Sequence, residues 1–151
     1  MARADATHEY PAPAPPAQRA PGAPGPAQAV AAFARLYINW NAGDVAATMA
    51  RLARLSIGQA RSEMALAAAE TRADTTLSQA EITNRGSVEA VARVAGRRNS
   101  YVVVTREATT SDVSSAYQGL APAWHLTLAT VTEQGAPAQR RWVVSGWQPE
   151  N

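Results

Sequence analysis

Apolar positions along this chain change their spacing twice. Residues 1–26 show no periodic apolar face at all. From Ala27 the apolar residues recur at helical spacing. Val30, Phe33, Ala34 and Tyr37 follow the i, i+3, i+4, i+7 rule, and Leu36 and Trp40 widen the stripe. This predicts a first helix that stops at Asn41-Ala42-Gly43, where glycine suits a left-handed cap. Asp44 is then placed to cap a second helix carrying Val45, Met49 and Leu52 on one side. Ser56 and Gln59 have the spacing of a capping box and predict a third, alanine-rich helix running to about Asp74.

After Asp74 the period becomes two. Strands are expected over 77–83 and 88–94, joined by a hairpin turn at Asn84-Arg85-Gly86, with another turn over 96–99. Three consecutive valines mark a strand over 101–105. Residues 109–119 are polar and irregular. Over 124–132 the alternation puts Trp124, Leu126 and Leu128 on one face, with His125 and Thr127 on the other. The last strand is expected over 140–147. Three helices followed by about five strands in hairpin succession predict an α+β fold with an antiparallel sheet. Phe33, Tyr37, Trp124 and Leu126 are expected to meet between the first helix and that sheet.

Composition sharpens this picture in a few places. Seven of the ten prolines fall within residues 11–26. Proline removes backbone donors and clashes with a preceding helical turn, so residues 1–26 read as a disordered Pro/Ala-rich leader or spacer. Residues 27–148 then form one folded domain. All 14 basic residues are arginine, set against 12 acidic ones, and the net charge of +2 does not by itself point to a nucleic-acid partner. The absence of cysteine excludes disulfides and thiolate chemistry. No run reaches the ~18 apolar residues that cross a bilayer, and the charges at Arg3, Asp5 and Glu9 rule out a secretory signal at the start. Membrane association is expected only through a missing anchor or a partner.

Candidate chemistry is sparse. The two histidines are His8, in the leader, and His125, on the expected less buried face, so neither a metal site nor a cofactor is expected. No phosphate-binding glycine loop and no nucleophile elbow occurs. Carboxylates are scattered and read as surface residues. The pairs Arg97-Arg98 and Arg140-Arg141 lie beside expected turns and read as solvated hairpin ends that blunt a sheet edge. Trp40, Trp124 and Trp142 suit core positions, whereas Trp147 near the chain end reads as partly exposed and suited to an interface.

The helix junction Tyr37-Ile38-Asn39-Trp40-Asn41-Ala42-Gly43-Asp44 and the closing Arg141-Trp142-Val143-Val144-Ser145-Gly146-Trp147 resemble the nuclear transport factor 2-like superfamily. The resemblance covers roughly residues 27–148. It implies a cone, in which a strongly curved antiparallel sheet wraps round helices. One branch of that superfamily holds ketosteroid isomerases and SnoaL-like polyketide cyclases, for which Tyr37 and Tyr101 would line the pocket. Another holds extracytoplasmic scaffolding domains of conjugation and type IV secretion, the TcpC-like branch. The proline-rich spacer and the Arg-only, Ala-rich, actinobacteria-like composition fit the second branch. The resemblance therefore implies a non-enzymatic interaction domain on the envelope side, acting through a protein partner or self-association. His125, Thr127, Arg141 and Trp147 are the candidate interaction surface.

Overall fold

A computed structural model describes residues 22–150. The expectation of a disordered leader falls mostly on residues outside these. Its expected end at Pro26 is corrected. Ala23 exchanges both backbone hydrogen bonds with Trp142, at 3.0 and 2.8 Å, and Pro26 already opens the first helix.

Helix α1 spans Pro26–Ile38, with proline in its first turn, where the missing N–H has no intrahelical partner to lose. It ends earlier than the sequence predicts. Trp40–Asn41 turns into a two-residue strand, β1. Helix α2 spans Val45–Leu55 and buries Val45, Met49 and Leu52, as the periodicity requires. Asp44 occupies its N-cap, but the carboxylate turns back and accepts from the backbone N–H and side-chain amide of Asn41, at 2.8 and 2.9 Å. Helix α3 spans Gly58–Ala73. The expected capping box does not form. Ser56 Oγ donates back to Leu52 O at 2.8 Å, and Gln59 is engaged with the last strand.

The segment expected as a first strand is instead a short helix, α4, Thr75–Gln79, capped by Asp74 accepting from Thr76 N. Three long strands follow: β2 (Thr83–Arg93), β3 (Ser100–Thr110) and β4 (Ala123–Gln134). Strand β5, Arg141–Pro149, closes the sheet. The order is β1-β2-β3-β4-β5, every neighbour antiparallel. Asn84-Arg85-Gly86 lies inside β2 rather than at a hairpin. Gly86 is there because a Cβ would meet Arg106 O at 2.8 Å and Ile38 Cδ1 at 3.1 Å. The β2–β3 turn lies at Gly96 and Asn99, both with positive φ.

The helices pack against one face of this curved half-barrel sheet, giving an α+β fold. The core joins Val30, Phe33 and Ala34 of α1, Met49 and Leu52 of α2, and Ala60 and Met64 of α3 to Tyr101, Val103, Ala129, Val131, Val144 and Trp147 of the sheet. The alternation over β4 is present, but its phase is opposite to the expected one. Trp124 and Leu126 are 62% and 49% exposed, while Thr127, Ala129 and Val131 are buried. The reason is steric. Ala129 pairs directly with Trp147, whose ring lies 4.8 Å from that of Phe33. Around Trp147 the concave side is already filled by these rings, and β4 meets it with the small residues Thr127, Ala129 and Val131, so Trp124, Leu126 and Leu128 point outward.

Candidate interaction surface

The outward face of the sheet carries bulky apolar residues. Cross-strand register aligns Val102 with Leu128 and Ala92, Val104 with Leu126 and Ala90, and Arg106 with Trp124 and Ser87. Side chains two apart on a strand share a face. Val102, Val104, Leu126, Leu128 and Trp124 therefore form one patch on the two strands β3 and β4, which lie about 5 Å apart, and it runs about 13 Å along them. None of the helices covers it; they lie on the opposite, concave face. The Arg106 guanidinium stands 5.9 Å from the Trp124 ring centroid, close enough for a cation–π contact.

The four residues expected to form the interaction surface do not do so together. His125 is exposed, but it pairs with Thr105 on the concave row. Thr127 is only 5% exposed and lies on the same row. Trp147 is 2% exposed, with its ring 5.3 Å from Tyr37 and 4.8 Å from Phe33, so it is a core residue rather than an exposed anchor. Arg141 is half-buried at the sheet edge, where it donates to the Gly22 carbonyl at 3.0 Å. The residues that do share an open face are Trp124, Leu126 and Arg106. Alternation alone could not have singled them out, because both faces of β4 carry apolar residues. The cue lay in size, since the small residues Thr127, Ala129 and Val131 occupy the confined side.

The concave side holds one polar group of interest. The Glu107 carboxylate accepts from Asn84 Nδ2 at 2.8 Å and from Thr105 Oγ1 at 2.6 Å. Asn84 also donates to Ile38 O and accepts from Thr109 Oγ1, both at 2.8 Å. Among the described residues the salt bridge is Arg140–Glu133, so Glu107 has no cationic partner. Burial pushes the Tyr37 hydroxyl above its ordinary pKa, and the Glu107 charge adds to the rise. The Trp147 indole works in the other direction. That indole N–H is nevertheless buried without a partner in hydrogen-bond geometry. Its influence on Tyr37 is therefore one of proximity. Tyr101 is 3% exposed and packed in the core. The apolar cavity of about 150 Å³ lies elsewhere, between α1 and β5, lined by Phe33, Leu36, Leu55 and Trp142.

Among the described residues no three His, Cys, Asp or Glu side chains converge as a metal site would require, and no helix is long and apolar enough to cross a membrane. Comparison with protein-family models, curated proteins and solved structures finds no match for this chain.

Proposed function

We propose that this domain is a protein-interaction module that presents the convex face of its sheet, with Trp124 as the anchor. The observation that carries this reading is the 62% exposure of Trp124 beside a 49% exposed Leu126 and the half-buried Val102, Val104 and Leu128. Large apolar side chains left together on a surface mark association sites more often than isolated ones do. Tryptophan and arginine are enriched among interface anchors, and the Arg106 guanidinium stands 5.9 Å from the ring centroid. The filling of the concave side by Trp147, Phe33 and Tyr37 also favours work done at the outer surface. The resemblance noted above directs the search for partners to the assembly factors of conjugation and secretion, or to self-association.

The test is a pair of variants, Trp124→Ala and Leu126→Ser. Association measured by sedimentation velocity, or by capture of partners from the native host, should weaken at least tenfold, with thermal unfolding unchanged. Unchanged association in both variants would overturn the reading.

A second reading rests on Glu107. A carboxylate on a strand, with no cation beside it and with a tyrosine hydroxyl in its field, is the kind of pair a SnoaL-like enzyme or small-molecule binder uses. Turnover of a small ketone that is lost in both Tyr37→Phe and Glu107→Gln would favour it.

A further inference from the structure

The two arginine pairs, far apart in sequence, lie at the same end of the sheet. In an antiparallel succession the β2–β3 and β4–β5 turns fall at one end, and the β3–β4 connection falls at the other. The two hairpins touch directly: Asn99, in the first turn, accepts a backbone hydrogen bond from Val131 of β4 at 2.9 Å. Arg93, Arg97 and Arg98 surround the first tip, and Arg140 and Arg141 flank the second. Of these five, Arg140 is paired with Glu133 at 3.3 Å, and Arg141 holds the Gly22 carbonyl. The other three are exposed. The opposite end carries acid: Glu81 and Asp112 line a cleft with Asn41, and Asp44 is hydrogen-bonded to the same asparagine. Each pair alone is an ordinary solvated hairpin end. Together they give the domain a basic end and an acidic end.

We propose that the basic end docks on an anionic phospholipid surface. Arginine forks match phosphate oxygens. The residues beside the arginines include small and partly apolar ones, Ala95 and Gly96 at one tip and Ala136, Pro137 and Ala138 at the other, all exposed. Neither tip offers an aromatic ring, as a surface for unpaired bases would. The polypeptide also enters the fold at this end, through the Ala23–Trp142 pairing. The inference is independent of the Trp124 face, because it uses different residues and a different partner.

The full chain should co-sediment with vesicles of phosphatidylcholine containing about one-third phosphatidylglycerol, and not with pure phosphatidylcholine. Binding should fall as salt is raised through ~0.15 M. Each arginine near such a surface contributes about fivefold, so Arg97→Gln with Arg98→Gln should lower partitioning roughly 25-fold. No hydrogen bond is made by either side chain among the described residues, and circular dichroism should show an unchanged fold. Asp112→Asn, at the other end, should leave partitioning unchanged. Equal binding to neutral vesicles, no loss in the double variant, or binding to duplex DNA in place of vesicles would each overturn the proposal.

Discussion

The side-chain amide of Gln59 pairs with the backbone of Trp147 as a neighbouring strand would. Gln59 Oε1 accepts from Trp147 N at 2.8 Å, and Nε2 donates to Trp147 O at 3.3 Å. Together with Ile57 N donating to Val144 O at 3.1 Å and the Ala23–Trp142 exchange, it covers the outer edge of β5. The other edge is treated alike. Asn39 Oδ1 accepts from Gly86 N at 3.0 Å, and its Nδ2 donates to Gly86 O at 3.2 Å, extending the short ladder of β1. Unpaired edge groups are templates for unwanted strand addition, and two amide side chains remove part of that hazard here.

Removing the Gln59 amide should therefore cost more than an exposed helix substitution. Gln59→Ala loses two hydrogen bonds and leaves the Trp147 N–H unmet, a cost of about 1–3 kcal/mol. Urea unfolding measures it. A loss under about 0.5 kcal/mol, the range of ordinary surface changes, would mean that water replaces the amide.

The two tryptophans of the last strands should behave oppositely. Trp147→Ala empties the centre of the core and should cost about 3–5 kcal/mol, a large share of the stability of a domain this size. Trp124→Ala, on the open face, should change stability by less than about 1 kcal/mol. If the two losses prove similar, the assignment of the convex face is wrong.

This contrast also shows how far the sequence could be read. Helical periodicity located α1 and α2, because each buries one stripe, whereas α3 was placed by the Ser56/Gln59 spacing, a cap that does not form. Alternation located β4, and three consecutive valines located β3. What alternation cannot supply is phase when both faces of a strand are apolar, and β4 is such a strand. Its phase follows from the long-range pairing of Ala129 with Trp147. The Asn84-Arg85-Gly86 turn failed for a related reason. Gly86 serves close contact with Arg106 and Ile38 across the sheet, which local sequence does not distinguish from a turn. The Ser56/Gln59 spacing likewise suited a cap, but Gln59 makes its bonds 88 residues away. The Trp124–Arg106 face and the joined arginine pairs are legible only after the strands are paired.

Gly86 offers a direct check on that explanation. A Cβ there would lie 2.8 Å from Arg106 O and 2.8 Å from Glu107 Cγ. A backbone oxygen has little freedom to move, so Gly86→Ala should cost about 1–3 kcal/mol, in the range of overpacking. A turn glycine without such contacts would not show this loss at a negative φ. Calorimetric midpoints of the parent and variant decide the matter, and an unchanged midpoint would reopen the turn assignment.

Tyr37 makes stability depend on alkaline pH. In the unfolded chain its hydroxyl titrates near the ordinary 10.0. In the fold, burial and then the Glu107 charge raise it. Below about pH 9 both states hold the proton, and its contribution to stability is fully present. Above pH 10.0 the unfolded state releases the proton while the folded state keeps it, so stability falls until the raised folded value is passed. The slope from this one group cannot exceed about 1.4 kcal/mol per pH unit. Urea unfolding between roughly pH 9 and 11 should show a shallower decline for Tyr37→Phe than for the parent; the remaining tyrosines are common to both and cancel in the comparison. Glu107→Gln removes the second cause and should narrow the window from its upper end without abolishing it, because desolvation is the larger effect. Parallel pH profiles for the parent and Tyr37→Phe would show that the hydroxyl ionises as freely in the fold as in the unfolded chain. They would also remove the electrostatic link between Tyr37 and Glu107 on which the small-molecule reading depends.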